Sequence, residues 1–256
     1  MDRLNDTAKS SALIFGLADI PADVVSMRQQ LMDMQHKQKV DALMAAYEKN
    51  VGAIKGSTDF DKQTNHEEGQ NFGSEAKVGE PIHKNTIDFL DENAVIKELD
   101  MARDEFAGFD HEESLTVTSD GKVWRVKGEE RRVDPSSIQD TGSDLKGSYS
   151  YHNHPTKETH YSFSADDVKF FFEFGEAYSK AADDQFEYII IRTPDTLDVN
   201  PQIAYSRFRE LYKTEIYKMA WDGEIDIDYD GFHEVMKRLS KEYGFFYERR
   251  QLNGDQ

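Results

Sequence analysis

Strand, loop and helix follow one another in a single segment of this chain, GSYSYHNHPTKETHYSFSADD, which covers residues 147–167. The first part, 147–155, predicts a short strand, and Pro155 ends it because proline cannot donate a hydrogen bond to a sheet ladder. Ser164 stands where the N-cap of a helix is expected, and Asp167 follows three residues later. The segment therefore predicts a strand whose end faces the first turn of a helix.

The residues on either side of this segment predict an α/β unit. Upstream, 113–128 alternates apolar and polar side chains around an Asp-Gly turn, which indicates a β-hairpin. Downstream, a helix is expected over 164–181, and 186–194 is the most strand-like run of the chain. Strands with an intervening helix favour an α/β fold, here with helical extensions at both the N-terminal and the C-terminal side.

The composition of the chain divides it into five expected segments. They are an N-terminal helical segment, a polar glycine-rich flexible linker, a helical stretch before the core, the core itself and a C-terminal helical extension, at 1–51, 52–80, 81–105, 106–195 and 196–256 respectively. Within them, individual helices are predicted at about 21–50, 86–105, 201–219 and 230–243.

Composition also argues against several classes of protein. The formal net charge is −19, which repels phosphate backbones, so nucleic acid is not expected as the main partner. The chain has no cysteine, which excludes disulfides and thiolate ligands and fits a cytoplasmic location. No run approaches the roughly 20 apolar residues of a membrane helix, so no membrane association is expected.

The two histidines of the segment point to a metal. His152 and His154 lie two residues apart in the predicted strand, so their imidazoles face the same side. The first helical turn projects the Asp167 carboxylate at a fixed place relative to Ser164. Two neutral imidazoles, one carboxylate and an open fourth position describe a catalytic zinc site, so Zn²⁺ is the expected cofactor. The alternatives are two ordinary surface histidines and a simple capping box.

Hydrolysis by zinc also needs a group that takes a proton from water and passes it to the leaving amine. Glu112 and Glu113 stand at the start of the first predicted core strand, and spacing alone does not choose between them. Two exposed charges at a strand edge are the alternative explanation of this pair. His160 lies in the loop before Ser164, and we expect it to have no role rather than to act as an extra ligand or a lid residue.

These residues resemble a known family. The pattern His152-x-His154-Pro155 with Ser164-x-x-Asp167 and an earlier glutamate is similar to the JAMM (MPN-plus) metalloproteases, in particular the bacterial and phage-encoded branch with the RadC-type proteins. The resemblance covers about 106–195.

The resemblance implies a fold and a set of roles. The implied fold is a mixed β-sheet between helices, as in the cytidine deaminases. The implied zinc ligands are His152, His154 and Asp167, with Ser164 assisting the oxyanion. The family's usual distance to the turn glycine favours Glu112 as the general base and acid, with Glu113 as the fallback.

The expected function is therefore a zinc metallohydrolase that cleaves a peptide or isopeptide bond in a protein or peptide substrate. One alternative is a catalytically silent MPN-fold module, because the helical flanks and the linker suit docking on a larger assembly, such as a phage particle, or a homo-oligomer. A nucleic-acid role of the RadC type is a second alternative, which the net charge of −19 opposes. The sequence leaves the substrate and the oligomeric state open.

Overall fold

The computed structural model describes residues 77–155 and 160–252. These residues form an α/β protein with one seven-stranded mixed sheet. The expected N-terminal helical segment, with its helix at 21–50, lies outside the described residues, as does all but the last few residues of the expected linker.

The strands of the sheet are β1 Pro81–Thr86, β2 Glu113–Val117, β3 Lys122–Lys127, β4 Tyr149–Asn153, β5 Tyr178–Ala182, β6 Phe186–Ile191 and β7 Phe246–Gln251. The helices are α1 Glu92–Phe106, α2 Ala165–Glu173, α3 Pro201–Leu211, α4 Tyr217–Trp221 and α5 Ile227–Tyr243, with a 3₁₀ helix at Pro135–Thr141 and a π-helix at Tyr212–Ile216. No helix among these is long and apolar enough to cross a membrane.

The strands lie in the order β1-β3-β2-β4-β5-β6-β7. Five of the six neighbouring pairs are antiparallel, and β4 with β5 is the parallel pair. Parallel neighbours cannot be joined by a tight turn, and α2 provides the crossover between them. The strand that carries both histidines therefore lies in the middle of the sheet, with α2 starting near its end.

Each face of the sheet is covered by helices. On one face, α1 packs its apolar side, including Val95 and Leu99, against Leu115 of β2 and Tyr151 of β4. The other face is covered by α2, α3 and α5, whose buried side chains include Phe171, Phe208 and Leu239. Because side chains alternate along a strand, Tyr151 points to the α1 face and His152 to the α2 face.

Several predicted elements are confirmed. The hairpin at 113–128 forms from β2 and β3, with Gly121 at φ +80° in its turn. The helix expected at 86–105 is α1, which starts later because Asp91 caps it by accepting hydrogen bonds from the backbone of Asn93 and Ala94. The helix expected at 201–219 is α3 with its continuation into α4, and the one at 230–243 is α5, which begins earlier, after the cap Asp226.

Three strands were predicted wrongly as helix or missed. The helix expected over 164–181 ends at Glu173, because Gly175 adopts φ +59° and turns the chain into β5. Strand β5 contains Lys180, which is buried and lies 2.6 Å from Glu187. This charged residue interrupts the alternation of apolar and polar side chains by which a strand is recognised. Without its pairing partner, β5 carries no clear strand signal.

The expected helical stretch at 81–105 begins with edge strand β1, and the expected helical extension at 196–256 ends with edge strand β7. Both are polar: β1 reads PIHKNT and β7 reads FYERRQ. Polar residues are typical of edge strands, which are half exposed, and a short polar run gives little sequence signal. The sheet therefore extends beyond 106–195 at both ends.

Candidate metal centre

The three expected metal ligands come together at the end of β4. The Nε2 atoms of His152 and His154 are 3.0 Å apart, and Nε2 of His152 lies 3.7 Å from Oδ1 of Asp167. One donor atom from each of the three residues lies within 4.8 Å of the other two. Ligands around a tetrahedral zinc ion, at bonds of about 2.0–2.2 Å, are separated by about 3.3 Å. The three donors therefore match zinc after small shifts.

The Asp167 carboxylate is oriented by the cap of α2. Both the backbone N–H and the hydroxyl of Ser164 donate to Oδ2 of Asp167, at 2.6 and 2.7 Å. In return, the backbone N–H of Asp167 donates to the Ser164 hydroxyl at 3.3 Å, which completes a capping box. The cap holds Oδ2 and turns Oδ1 toward the histidines. The cap thus uses one oxygen of the carboxylate and leaves the other free to bind a metal.

Burial keeps both imidazoles in the form that binds metal. Burial lowers the pKa of His152 to about 4, although the charge of Asp167 acts in the opposite direction. Burial also lowers the pKa of His154, against the charges of Asp167 and Asp183. Both rings are therefore neutral at pH 7 and offer a free nitrogen lone pair.

The register of the sheet separates Glu112 from Glu113. Ser114 pairs with His152, so Glu112, two residues before Ser114, lies on the histidine face. Glu112 lines the same cleft as His154 and Asp167. Glu113 points to the other face, where it is buried and bonded to Arg125. Of the two glutamates, Glu112 is the one that can reach a water molecule in the cleft.

The surroundings of Glu112 favour a role in proton transfer. Burial raises the pKa of Glu112 to about 8, the charge of Asp167 adds to the increase, and a hydrogen bond with the backbone of Val133 opposes it. A divalent cation nearby would stabilise the carboxylate and bring this pKa down. A carboxyl group whose pKa is adjustable around neutrality suits a general base that later acts as an acid.

Asn153, between the two histidines, fastens β4 to the start of β2. Its side-chain oxygen accepts from the backbone N–H of Glu113 at 2.7 Å, and its Nδ2 donates to the carbonyl of His111 at 3.0 Å. These bonds hold the chain at Glu112 beside the histidine pair. Sequence reasoning missed this role, although a polar residue between the two histidines is a visible signal.

A second group that the sequence reasoning missed lies behind the three expected ligands. Glu176 is buried, and burial raises its pKa to about 7, while hydrogen bonds with Ser150 and Ser179 act against the increase. A cavity of about 30 Å³ adjoins Glu176, His152 and Asp167. This volume is enough for about one water molecule. The sequence prediction placed Glu176 in a helix, so nothing indicated that it faces the sheet.

His160 has a structural contact that the sequence did not indicate. Its Nδ1 lies 3.2 Å from Oδ2 of Asp183, and the two form with Asp184 a second group spaced closely enough to hold a metal. The Asp183 carboxylate already accepts three further hydrogen bonds, from the backbone N–H groups of Gln185 and Phe186 and from the Tyr188 hydroxyl. These bonds occupy both oxygens of the carboxylate. The contact with Asp183 is therefore better explained as an anchor for His160 than as part of a metal site.

His154 and Asp167 line a cleft of about 590 Å³, a size typical of ligand sites. The turn after β3, with Arg131, Arg132 and Val133, forms one wall of the cleft, and Tyr161 and Phe232 also line it. The rings of Tyr161 and Phe232 stack at 4.6 Å. The C-terminal helix α5, which carries Phe232, therefore helps to build the site.

The wall after β3 depends on a glycine. A Cβ added to Gly128 would lie 2.3 Å from the carbonyl oxygen of Arg132 and 2.8 Å from that of Glu112. We expect Gly128→Ala to displace both backbones and thereby misplace Glu112, and a displacement of about 1 Å costs roughly 100-fold in rate. The measurement is peptide hydrolysis by the zinc-loaded variant at a temperature where circular dichroism shows it folded.

Gly142→Ala is the matched control for Gly128→Ala. Gly142 has φ +83° but nothing within 4 Å of its added Cβ, so the substitution costs only about 1–2 kcal/mol of left-handed strain. The Gly142→Ala variant should hydrolyse peptides at a rate near that of the unaltered protein. Equal rates for both variants would show that the wall tolerates a displaced turn.

Fold and site together define an α/β protein with a cluster of two histidines and an aspartate that could hold a metal, beside a cleft lined by a glutamate. The chain matches no protein-family model, no curated protein and no solved structure.

Proposed function

We propose that this protein is a zinc-dependent hydrolase of the JAMM (MPN-plus) type that cleaves a peptide or isopeptide bond. One observation carries the proposal: His152, His154 and Asp167, from two different elements, offer donor atoms within 4.8 Å of one another, and two of them, His154 and Asp167, line a cleft that Glu112 also lines. A closed structural zinc site would use a fourth protein ligand, whereas three ligands leave a position for water.

Each residue of the site has its own role in the proposed reaction. His152, His154 and Asp167 would hold the zinc ion, which when bound supplies an activated water and polarises the scissile carbonyl. Glu112 accepts a proton from the attacking water and delivers it to the leaving amine. The Ser164 hydroxyl, which donates to Asp167 at 2.7 Å, would turn from that carboxylate and donate to the oxyanion.

The MPN-type fold belongs to this proposal. Supporting it are a mixed sheet with helices on both faces, a histidine strand in its centre and a helix α2 that crosses from β4 to the parallel strand β5. A protein or peptide substrate and a cytoplasmic location complete it, the latter supported by the lack of cysteine.

Metal removal tests the proposed function directly. We expect the full-length protein, loaded with one zinc per chain, to cleave members of a peptide and isopeptide library. Dialysis against a chelator should abolish cleavage, and added zinc should restore it, because the activated water is lost and regained with the ion. The readout is mass spectrometry of the products.

Two outcomes would oppose hydrolysis. Cleavage that survives complete removal of the metal would point to a contaminating protease or to another mechanism. Zinc at one ion per chain without turnover of any library member would favour the silent binding or assembly module instead.

A further inference from the structure

The lining of the cleft differs in charge and polarity from place to place. Among the described residues, the carboxylates that line it belong to Asp110, Glu112, Glu130, Asp166 and Asp167. The cationic side chains among them are Arg131 and Arg132, which are neighbours on the wall after β3. The stacked rings of Tyr161 and Phe232 also line the cleft. Apart from the proposed metal, the two arginines are therefore the groups of the described lining that attract an anion.

Arg132 has no competing partner in the part of the chain that the structure describes. Within 77–155 and 160–252, every other arginine side chain has an ion pair or hydrogen bond, for example Arg125 with Glu105 and Arg209 with the Tyr205 hydroxyl. Arg132 has neither, and it is exposed at the cleft. Its neighbour Arg131 makes only a loose contact with Glu130, at 3.8 Å and with both side chains largely exposed. The guanidinium of Arg132 is thus available to a ligand.

The backbone fixes the two arginines relative to the catalytic glutamate. The N–H of Glu129 donates to the carbonyl of Arg132 at 2.7 Å, which closes a tight turn. The same turn is bonded to Glu112, whose N–H donates to the carbonyl of Glu129 and whose carbonyl accepts from Gly128, both at 2.8 Å. The backbone that carries Arg132 is therefore held next to Glu112, so a group bound by Arg132 would lie in the same part of the cleft as the proposed general base.

Arg131 and Tyr161 line the same cleft. Burial and the carboxylate of Asp228 raise the pKa of the Tyr161 hydroxyl, and the charge of Arg131 opposes them, so the two side chains lie within electrostatic range. A chain bound in the cleft could thus reach both the arginines and the Tyr161–Phe232 rings.

We propose that the substrate of this site is a peptide that carries a carboxylate next to the scissile bond, bound by Arg132 with help from Arg131, and an apolar side chain against Tyr161 and Phe232. This inference rests on the proposed function. The carboxylate can come from an aspartate or glutamate side chain or from the C-terminus of a chain. A planar guanidinium binds either by paired hydrogen bonds.

Equilibrium binding tests this specificity apart from turnover. Zinc-loaded Glu112→Gln protein, which should bind without cleaving, is titrated with fluorescent peptides that share one apolar residue and carry Glu, Gln or Lys at the neighbouring positions. We expect the Glu peptide to bind about tenfold more tightly than the Gln peptide, and the Lys peptide to bind most weakly. Each peptide is made with a free and with an amidated C-terminus, so that the two sources of carboxylate are separated.

A charge reversal sharpens the test. Adding Arg132→Glu to the same protein should invert the order, so that Lys peptides bind more tightly than Glu peptides. Arg209→Glu, at an exposed position on α3 outside the cleft, makes the same charge change and should leave the order unaltered. Zinc content and thermal unfolding are measured for each variant.

The outcomes separate the two proposals. Glu, Gln and Lys peptides that bind equally well, or an order that survives Arg132→Glu, would overturn carboxylate recognition. If the library shows no zinc-dependent cleavage but the Glu preference and its inversion appear, the proposed hydrolysis fails while the recognition of a carboxylate stands.

Discussion

Replacing Glu112 with glutamine should slow peptide hydrolysis by about 10²- to 10⁴-fold while leaving the zinc content at one ion per chain. Glutamine keeps the size of the side chain but cannot accept the proton of the attacking water. Glu112 is not within the ligand set of His152, His154 and Asp167, so the ion should stay. Steady-state kinetics and atomic emission on the same sample measure both quantities.

Glu113→Gln is the control for Glu112→Gln, with the same chemical change one residue along the chain. Glu113 is buried on the opposite face, bonded to Arg125 and 2.9 Å from Nε2 of His111. Removing one charge of a buried pair costs about 3–5 kcal/mol, so this variant should unfold at a lower temperature. At a temperature where it is folded, its kcat should be close to normal. Similar kcat losses in both variants would contradict the assignment of the general base.

Replacing His152 and His154 together with alanine should reduce bound zinc from one ion per chain to none, since a lone carboxylate does not retain zinc. The activity should disappear with the ion, and zinc should no longer raise the unfolding temperature of the variant, because only binding to the folded state stabilises it.

In the unaltered protein, zinc binding should persist to about pH 5, because burial lowers the pKa of His152 to about 4 from the ordinary value of about 6.5.

Two other histidines control for the double substitution. His83→Ala removes an imidazole on edge strand β1, where it packs on Trp124 at 5.1 Å, and should leave zinc binding unchanged. His160→Asn removes the contact with Asp183 and tests the second group of closely spaced ligands. If zinc remained bound after the double substitution but was lost in His160→Asn, the metal would be assigned to the second group instead.

The features that the sequence predicted correctly are patterns formed by residues close together in the chain. The spacing of His152 and His154 is one strand period, and the Ser164–Asp167 cap is one helical turn. The hairpin at 113–128 is set by its own Asp-Gly turn. Each of these patterns is decided by residues within a few positions of one another, so neighbouring residues are enough to predict them.

The choice between Glu112 and Glu113 needed the partner of β2. Either glutamate suits the start of a strand, and only the pairing of Ser114 with His152 shows which one lies on the same face of the sheet as His152 and His154. Shifting that pairing by one residue would exchange the two side chains. The register is set by contacts between residues almost forty positions apart, which no local pattern contains.

Local periodicity and hydrogen bonding were enough to predict the α/β class, the clustering of His152, His154 and Asp167 and the helix cap that orients Asp167. Tertiary packing was needed to join β1, β5 and β7 to one sheet, to bring Glu176 behind this cluster and to leave Arg132 at the cleft without a partner among the described residues. Burial and pairing of charges arise only when distant segments pack, and that packing overrides the weak local preferences of polar strands.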